Sequence, residues 1–399
     1  MTPVLCLVQL LAAVPVALSL LITIILTNNM FSKIVLVALG ASVAAAKTVD
    51  LNNYTFDNYL TDFNLRFHPS ELESRRSTFL SELARVRAHN AKNLSWKEEI
   101  NQFSVLTNKE REAFKGRSGG VSQTQGKMLK AAKPLPSNFE MKPLDRLPKE
   151  VDWRTKHVTT AVKDQGHCGS CWAFAATAVI ESHVAINSGL LFDLSPEQVA
   201  MCSPNPESCG GTGGCHGATS EIAFEYVSNS DGIREEFQYP YNSYYGVEHK
   251  CSIPDSPGVA SINGYVQLPA NNYTALMNAV AQIGPVAVSV DASTFHAYKS
   301  GIHDGCNQAN PDINHAVVLE GYGEENGQKF WLIRNSWSPK YGEKGYIRLA
   351  RHDNEGELCG TDLDPSDGAA CNGDTTPVKV CGTCGVLFDS SYPLHAAVL

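Results

Sequence analysis

The 399-residue sequence predicts an α+β protein with a helical N-terminal part and a larger C-terminal part that contains both helices and strands. Three observations support this class. Residues 71–90 repeat one face at helical spacing, an apolar helix that starts near Cys171 ends at Gly189, and two apolar strands carry His315 and Asn335. Helices and strands therefore occupy different stretches of the chain, as in α+β folds.

The composition is that of a globular protein with many cysteines. Apolar residues make up 43% of the chain and charged residues 18%, and the length allows one large domain or two modest ones. The twelve cysteines indicate metal or redox chemistry in a cytosolic protein and disulfides in a secreted one. The N-terminus decides between these two interpretations.

Residues 1–46 contain two apolar runs and are predicted to be a signal peptide or a membrane anchor. The first run, residues 4–26, carries no charge and is long enough to span a bilayer. The second run, residues 34–46, follows Met30 and a lysine and ends in small residues suited to cleavage after Ala46. Initiation at Met30, one composite signal peptide and an uncleaved anchor all send the rest of the chain into the secretory pathway, so disulfides are expected.

The two parts of the chain after residue 46 carry opposite net charge. Residues 47–147 have 17 Lys and Arg against 12 Asp and Glu, whereas residues 148–399 have 14 against 29. We expect the basic segment to associate with the acidic one by charge complementarity. Residues 127–153, at the boundary, contain four prolines and no helical periodicity before "VDW", which predicts an extended linker.

The basic segment is predicted to contain two helices. One face of the first helix, at spacings of three and four, carries Glu71, Arg75, Phe79, Glu82, Val86 and Asn90. A short strand is expected within "INQFSVL", residues 100–106. A second helix should follow, with Thr107 as its cap and Glu110 at the capping-box position.

The stretch "QGHCGSCWAF", residues 165–174, holds a C-x-x-C pair. The spacing alone allows a redox pair, half of a metal site, or one structural and one reactive cysteine. Cys171 falls at the N-terminus of the predicted helix, where the positive end of the helix dipole favours a thiolate, and Cys168 lies in the loop before it. The surrounding pattern is not the strand–helix–strand unit of thioredoxins, so the two cysteines are expected to differ in role.

His315 and Asn335 complete a candidate catalytic set. A cysteine nucleophile needs a base, and the base needs an orienting partner. His315 stands at the head of the apolar run "INHAVVLEGYG", and Asn335 stands at the end of "KFWLIRNSW". Each residue alone favours a structural interpretation, whereas the two together with Cys171 in this order favour nucleophilic catalysis.

These motifs resemble those of the papain-like cysteine proteases, and the chain from about residue 55 to residue 393 resembles a zymogen of the cathepsin L type. The resemblance rests on "VDWR", "VKDQGHCGSCWAF", "NHAV" and "NSW", with His315 and Asn335 lying 144 and 164 residues after Cys171. It implies a papain-like two-lobe fold: a helical lobe led by the Cys171 helix, an antiparallel β-barrel-like lobe that bears His315 and Asn335, and an active cleft between them.

The resemblance implies three domains and a role for the first two. Residues 1–46 would be the signal peptide or anchor, residues 47–147 an α-helical inhibitory propeptide, and residues 148–399 the peptidase domain. The propeptide would block the cleft until it is removed, at acidic pH. The enzyme would be an endopeptidase that needs no cofactor and no metal ion, and its partners would be protein and peptide substrates and its own propeptide, with no nucleic acid.

The resemblance also implies a role for each catalytic residue. Cys171 would attack the peptide carbonyl as a thiolate paired with protonated His315, which later protonates the leaving amine. Asn335 would orient the imidazole, and Trp337 would shield that contact. Gln165 and the backbone N–H of Cys171 would stabilise the oxyanion.

The basic segment departs from the family's propeptide pattern in its second motif. Its first motif keeps Glu71, Arg75, Phe79 and Asn90. In the second motif Asn101 and Phe103 match, but Glu99 replaces a glycine and Val105 replaces an aspartate. Because that aspartate could act as a pH trigger, acid release here must depend on other carboxylates.

Cysteine counting predicts a disulfide framework in the peptidase domain. Eleven cysteines lie in residues 148–399, so one nucleophile leaves an even number. The resemblance implies three pairs: Cys168 with Cys215, Cys202 with Cys251, and Cys306 with Cys384. The pairing of four others stays open: Cys209, Cys359, Cys371 and Cys381. A zinc site is an alternative for Cys359, Cys371, Cys381 and Cys384.

The resemblance places a specificity pocket for the side chain two residues before the scissile bond. Asp389 is expected at its floor, where enzymes of the cathepsin L type carry a small residue, so Arg or Lys should be accepted beside apolar side chains. The alternative is that Asp389 turns to solvent or caps a local turn. The pocket walls and the cleft should include Gly217, Ala218, Thr219, Ser220, Ser289, Ile313, Asn314, Ala316 and Trp337.

Two other functions and the location complete the predictions. A non-catalytic homologue would have lost the nucleophile, the base or Gln165, and the sequence keeps all three. An exopeptidase would need a loop that blocks one end of the cleft, and the insertion at residues 359–381 is the candidate for it. The protein is expected in a lysosome or digestive vacuole, or secreted, as a monomer that is membrane-bound only if residues 4–26 are retained. Three glycosylation sequons agree with this route: Asn53, Asn93 and Asn272.

Overall fold

The structure covers most of the chain after residue 49. The computed structural model describes residues 50–116, 131–136, 139–367, 371 and 373–399. The predicted signal peptide or anchor, residues 1–46, lies outside them. Within the described ranges, no helix combines the length and the apolar character needed to cross a membrane. We call residues 50–147 the N-terminal segment and residues 148–399 the C-terminal segment.

The described residues contain seven α-helices. Those of the N-terminal segment are α1 (Phe56–Asp62), α2 (Pro69–Ala91) and α3 (Asn108–Glu112). Those of the C-terminal segment are α4 (Cys171–Ser188), α5 (Pro196–Cys202), α6 (Ser220–Asn229) and α7 (Tyr273–Gln282). The alanine-rich helix α4 is buried over residues 171–185 and packs against α5 and α6, which together form a helical lobe. It ends at Gly189, whose φ of 77° suits glycine, as predicted.

The strands of the described residues lie mainly in the C-terminal segment. They are β1 (Trp96–Glu98), β2 (Ala132–Lys133), β3 (Val151–Asp152), β4 (Ala260–Ser261), β5 (Tyr265–Gln267), β6 (Val286–Val290), β7 (Tyr298–His303), β8 (His315–Glu325), β9 (Gln328–Arg334), β10 (Tyr346–Ala350), β11 (Cys359–Asp362), β12 (Val378–Cys381), β13 (Ser390–Pro393) and β14 (Ala397–Val398).

One large sheet forms the second lobe. Its strand order is β1-β7-β10-β9-β8-β6-β13-β5-β2, with β3 paired to β8, and its pairs are antiparallel except β7 with β10 and β2 with β5. Every residue of β6 is buried, because α4 packs against β6 and β8. The predicted α+β fold, with a helical lobe, a β lobe and a helical N-terminal segment, is confirmed.

The middle of the predicted face of α2 is buried, whereas Glu71 at its start is exposed. The buried side chains of this helix are Phe79, Glu82, Leu83 and Val86. Asn90, at the end of the same face, exchanges two hydrogen bonds of 2.9 Å with the backbone of Glu98 and so holds β1 beside the helix. Sequence periodicity therefore located both the helix and its packing surface.

Ion pairs link α2 to α3, and the shortest joins Arg75 to Glu110. Arg75 donates two hydrogen bonds to the carboxylate of Glu110, at 2.6 and 2.5 Å, and a third to the carbonyl of Val105 at 3.0 Å. Thr107 and Glu110 form the predicted capping box at the start of α3. Glu110 thus serves the helix cap and the tertiary contact together.

The prediction of a strand at residues 100–106 is wrong. Residues 102–105 form a turn, because the side chain of Asn101 accepts a hydrogen bond from the N–H of Phe103 at 3.0 Å and Ser104 Oγ accepts one from the N–H of Asn101 at 2.9 Å. Such local side-chain bonds compete with strand pairing. The strand of this region, β1, lies just before the turn.

The N-terminal segment extends the sheet at both of its edges. Strand β1 pairs with β7 and strand β2 pairs with β5. Trp96 of β1 is buried between the rings of His89 and His303, with centroid distances of 4.0 and 4.2 Å, and its Nε1 donates to Asp304 at 3.1 Å. Docking thus combines backbone pairing with the burial of a large aromatic ring.

An ion pair between the described parts of the two segments has the opposite polarity to the expected charge complementarity. Glu99 of the N-terminal segment lies 3.9 Å from Lys299, so the acid is on the basic segment, and the lysine is half exposed. Arg117, Lys127 and Lys130, which contribute to the basic charge, lie outside the described residues. The described docking therefore depends more on backbone pairing and aromatic burial than on this pair.

Five disulfides join cysteines of the C-terminal segment. Three have the partners that the resemblance implies: Cys168–Cys215, Cys202–Cys251 and Cys306–Cys384. The four cysteines left open form two more, Cys209–Cys371 and Cys359–Cys381. The zinc alternative is therefore wrong, because its four thiols are all in disulfides. Cys171 keeps its thiol.

Candidate active site

The thiol of Cys171 lies where the helical lobe meets the sheet. Cys171 is the first residue of the 18-residue helix α4, so the unsatisfied N–H groups and the positive dipole end of the helix are directed at its side chain. The N–H of Ala316, the second residue of β8, donates to Cys171 Sγ at 3.3 Å. Both effects favour a sulfur that carries negative charge.

His315 and Asn335 meet because they lie on neighbouring antiparallel strands. His315 begins β8, and Asn335 directly follows β9. Nε2–H of His315 donates to Oδ1 of Asn335 at 2.8 Å, and both side chains are buried. This bond places one ring proton on Nε2 and so makes Nδ1 the nitrogen that can exchange a proton with a thiol. Ala316, the next residue, contacts Cys171 Sγ, so the imidazole and the thiol belong to one site.

One aromatic ring covers the imidazole, and a second ring packs on the first. The ring of Trp337 lies 4.8 Å from that of His315 and is buried. His296 stacks on Trp337 at 4.8 Å with an interplanar angle of 17°. Burial lowers the pKa of His296 well below its usual value, so this ring is neutral and packs as an apolar group. The His315–Asn335 bond is therefore kept out of water.

Gln165 directs its amide towards the same site. Its Oε1 accepts a hydrogen bond from Ser336 Oγ at 2.6 Å, which orients the Nε2 donor. Nε2 donates to the carbonyl of Cys168 at 2.8 Å and to the carbonyl of Phe114, in the N-terminal segment, at 3.0 Å. A carbonyl of the N-terminal segment thus occupies the donor that was predicted to receive the substrate's oxyanion.

The N-terminal segment also lies directly against the thiol. A Cβ built on Gly116 would collide with Cys171 Sγ and would come within 2.6 Å of the carbonyl of Gly169. A Cβ on Gly217, across the cleft, would collide with the carbonyl of Gly116. Trp337 Nε1 donates to the carbonyl of Phe114 at 3.0 Å. Only a glycine fits this close approach, and a peptide substrate cannot occupy the same space.

Asp389 lies beside Ser289, which is also one of the residues predicted for the pocket. Ser289 Oγ donates to one carboxylate oxygen of Asp389 at 2.7 Å, and Gln267 Nε2 lies 3.3 Å from the other. The Asp389 side chain is half-buried, and its carbonyl accepts from the N–H of Ser289 at 3.0 Å, next to the β6–β13 pairing. The carboxylate is thus held on the sheet lobe.

The other predicted pocket residues divide into two groups. Gly217 and Ala218 directly precede α6 of the helical lobe, and Thr219 and Ser220 follow them as its cap and first residue. On the sheet lobe, Ile313 belongs to an apolar cluster with Val378, Val380 and Phe388. Asn314 uses its side chain to bond Ala292, Ser293 and Asp312, so it supports the backbone before His315.

Three residues of the site were not identified from the sequence. His296 packs on Trp337, Ser336 orients Gln165, and the hydroxyl of Tyr341 donates to the carbonyl of Phe295 at 3.0 Å beneath Trp337. The sequence could have indicated Ser336 as a site residue, because it lies within the "NSW" motif. The other two carry no local signal, since only the fold brings them to the indole.

Two protein-family models match the chain. Residues 147–368 match the model of the papain family cysteine proteases, and residues 56–110 match the cathepsin propeptide inhibitor domain. The chain belongs to the papain family of cysteine proteases. Its N-terminal segment contains the inhibitor domain, and we call this segment the propeptide from here on.

Individual relatives extend over most of the protease. It is 33% identical to KDEL-tailed cysteine endopeptidase CEP2 of Arabidopsis thaliana over 85% of each chain. It is 33% identical to pro-cathepsin H of Bos taurus, over 81% of this chain and 91% of the relative. The solved structure of digestive procathepsin L 3 from the larval midgut of Tenebrio molitor has a TM-score of 0.67 and 31% identity, covering 85% of this chain and 97% of that one. The protein is a cysteine endopeptidase made as a zymogen.

Proposed function

We propose that the protease hydrolyses peptide bonds with Cys171 as nucleophile, His315 as general acid and base, and Asn335 as the residue that orients His315. The observation that carries this proposal is the 2.8 Å bond between His315 and Asn335, one residue from the N–H that contacts Cys171 Sγ. It supports a thiolate–imidazolium pair at the start of α4. Cys168 cannot act as a nucleophile, because its sulfur is in a disulfide with Cys215.

The reaction runs in two stages. The Cys171 thiolate attacks the carbonyl carbon, and the oxyanion that forms accepts hydrogen bonds from Gln165 Nε2 and from the backbone N–H of Cys171. His315 gives its Nδ1 proton to the leaving amine as the C–N bond breaks, which leaves an acyl-enzyme thioester. Water then loses a proton to His315 and attacks the thioester, the C–S bond breaks, and the acid product leaves.

The specificity pocket is proposed to accept basic as well as apolar side chains two residues before the scissile bond. A half-buried carboxylate at Asp389 offers a charge-assisted partner for Arg or Lys, with Ser289 holding one oxygen in place. The polar wall residues Thr219 and Ser220 are compatible with a solvated side chain. Apolar side chains would lie against the remaining wall.

Acid-activated enzyme and two blocked fluorogenic dipeptides test both proposals. We expect hydrolysis of Phe-Arg and Arg-Arg substrates, and loss of both activities in Cys171→Ala. Asp389→Ala should lower kcat/KM for Arg-Arg by about tenfold or more, with little change for Phe-Arg. Equal losses on the two substrates would exclude Asp389 as the pocket acid, and activity that survives in Cys171→Ala would exclude the nucleophile.

Activation is proposed to occur at acidic pH by weakening of ion pairs inside the propeptide. Burial raises the pKa of Glu82, but hydrogen bonds and charges from Arg85 and Arg111 outweigh it and leave the pKa below its usual value of 4.5. A carboxyl with a lowered pKa stabilises the fold at pH values above its usual pKa of 4.5. This stabilisation is lost as the pH falls through the lowered pKa. The Arg75 hydrogen bonds hold the pKa of Glu110 at about 2, so that pair persists at lower pH.

Glu99 is expected to act in the opposite direction. Burial raises the pKa of its carboxyl to about 7, and Lys299 offsets this only in part. Because the pKa of this carboxyl is raised, the contribution of Glu99 to the free energy of unfolding is fully present below pH 4.5. It is lost as the pH rises through 7. In a Cys171→Ala zymogen, which cannot process itself, Glu99→Gln should raise the unfolding midpoint by ~3 °C at pH 7.5 and have little effect at pH 4.5.

The unfolding midpoint is measured between pH 4.5 and pH 8 for three zymogens: the Cys171→Ala parent, the parent with Glu99→Gln, and a control. The matched control is Glu73→Gln, on the exposed side of α2. It should leave the midpoint unchanged at every pH. A Glu99→Gln effect that does not vary with pH would mean that the carboxyl of Glu99 does not titrate in this range.

The chain is proposed to follow the secretory pathway to a lysosome, a digestive vacuole or the outside of the cell. Residues 1–46 would be the signal peptide or anchor, residues 47–147 the propeptide and residues 148–399 the monomeric mature enzyme. The five disulfides support an oxidising compartment. Asn53 and Asn93 are exposed, whereas Asn272 caps α7 through its side-chain oxygen and is the poorest glycosylation candidate.

A further inference from the structure

The ring of His296 carries a buried nitrogen that the zymogen leaves unused. His296 lies two residues before β7, and its ring stacks on Trp337, which in turn packs on His315. The side chain is only 5% exposed. Within the described residues, its Nε2 is buried and has no hydrogen-bond partner. Leaving a buried polar atom in this state costs free energy, so such atoms are rare in folded proteins.

The propeptide supplies the cover over this ring. The ring of Phe103 lies 5.0 Å from that of His296, edge to face at 80°, and 5.2 Å from that of Trp337. Asn101, in the same turn, donates from Nδ2 to the main-chain carbonyl of His296 at 2.7 Å. Phe103 is apolar and offers Nε2 no acceptor. When the propeptide is removed, this side of the ring becomes accessible to water and to substrate.

The propeptide also determines the charge around the ring. Burial lowers the pKa of His296 most, and the propeptide cations Arg111 and Lys115 lower it further, whereas a backbone contact with Arg111 has the smallest effect and raises it. The N–H of Glu99 donates to the carbonyl of Ala297 at 2.8 Å, and burial raises the pKa of the Glu99 carboxyl to about 7. All these propeptide groups leave together with the aromatic cover.

The groups that remain on the peptidase domain allow the ring to be protonated. His315 also lowers the pKa of His296, but the charge proposed for His315 is balanced by the thiolate of Cys171. Burial raises the pKa of Tyr341, which packs against the indole, well above its usual value, so this hydroxyl stays neutral. Lys299 is half exposed, and water and salt screen its charge. We therefore expect the pKa of His296 to return towards about 6.5 in the mature enzyme.

The ring lies on the leaving-amine side of the site. The propeptide crosses the cleft from Trp337, which binds the carbonyl of Phe114, to Gly217, where a Cβ would collide with the carbonyl of Gly116. Gly217 belongs to the side of the proposed specificity pocket, which takes residues before the scissile bond. His296 stacks on Trp337, at the other end of this path. The residue that follows the scissile bond would lie there.

We propose that His296, once the propeptide is removed, binds a carboxylate of the residue that follows the scissile bond. The proposal rests on the proposed function, because that function defines the leaving-amine side. A protonated imidazole has donors only, so a carboxylate is its charge-assisted partner. The carboxylate is either the side chain of Asp or Glu or the terminal carboxylate of a substrate that ends at this residue.

Two pairs of peptides test the proposal and distinguish the two sources. All carry Phe-Arg before the scissile bond. The first pair continues with Glu or Gln and two further residues, and the second pair ends in Leu as the free acid or as the amide. Products are separated by chromatography. We expect kcat/KM for the carboxylate member of at least one pair to exceed that of its neutral partner about fivefold at pH 5.5 and to equal it at pH 7.5, where the imidazole is neutral.

Two variants assign the effect to His296. His296→Phe keeps an aromatic ring for the stack on Trp337 and removes both ring nitrogens, and His296→Gln keeps a neutral donor. In both variants the carboxylate preference at pH 5.5 should fall to within about twofold of unity. The ratio compares two substrates on one enzyme, so a general loss of kcat cancels. The matched control is His352→Phe, at an exposed histidine two residues after β10, which should keep the wild-type ratio.

Each outcome decides the proposal. A wild-type enzyme that treats the members of both pairs alike at pH 5.5 overturns it, and so does a preference that does not vary between pH 5.5 and pH 7.5 or that persists in either His296 variant. If one variant does not fold, the other gives the assignment, and the pH dependence of the wild-type ratio decides if neither folds. Failure of the proposed function is distinguishable, because it would appear as absence of hydrolysis of every peptide or as activity in Cys171→Ala.

Discussion

Replacing Gln165 by alanine is expected to lower kcat by about 10²–10³-fold while changing KM little. The side-chain amide is buried and held by Ser336, so its Nε2 donor is in place before substrate arrives. In the zymogen that donor binds the carbonyl of Phe114 at 3.0 Å, which is the kind of oxygen it would stabilise in the reaction. The bond is stronger to an oxyanion than to a ground-state carbonyl, so its loss acts on kcat.

Two variants separate this role from a structural one. Ser336→Ala removes only the group that orients the amide and should cost about tenfold in kcat. Gln198→Ala removes a buried glutamine of α5 that bonds Tyr226 and Gly232, and it should affect stability rather than kcat. Steady-state kinetics on a blocked dipeptide, with active-site titration, measures all three. A Gln165→Ala enzyme with unchanged kcat would exclude the proposed oxyanion site.

A side chain at position 116 is expected to release the zymogen from inhibition. A Cβ there would collide with Cys171 Sγ and lie 2.6 Å from the carbonyl of Gly169, and Gly217 leaves no room on the other wall. Gly116→Val must therefore push the propeptide out of the cleft or keep it from docking. We expect alkylation of Cys171 in the intact zymogen to speed up at least about tenfold, since the cost of such overpacking is ~1–3 kcal/mol or more.

Mass spectrometry of iodoacetamide-treated zymogen follows this exposure without depending on processing. Ala113→Val, on an exposed neighbouring residue, is the matched control and should leave the rate unchanged. The mature enzymes from all three zymogens should have equal kcat and KM, because position 116 leaves with the propeptide. A Gly116→Val zymogen as resistant to alkylation as the parent would mean that the propeptide inhibits without touching the thiol.

Local sequence patterns predicted three of the seven α-helices that the structure describes, α2, α3 and α4. The six-residue face of α2, the end of α4 at Gly189 and the capping box of Thr107 and Glu110 all depend on contacts within one helix or at its ends. The strand at residues 100–106 failed for a local reason, since Asn101 and Ser104 bond their own backbone and form a turn.

The candidate site was predicted by motif rather than by geometry. Cys171, His315 and Asn335 were recognisable because residue type and order narrow the chemistry, and the fold then placed them together through the pairing of β8 with β9. His296 escaped notice because a buried histidine that stacks on an indole has no sequence signal of its own.

The sequence by itself determined the cap of α3 and the two ends of α4, that one thiol would remain among eleven cysteines, and which residue types were available for catalysis. These properties depend on neighbours a few residues apart or on counting. The tertiary structure alone decided that Cys209 pairs with Cys371, that the Glu99 carboxyl is partly buried, and that the carbonyl of Phe114 reaches Gln165. Each of these joins distant parts of the chain, and which distant groups meet depends on the packing of the whole fold.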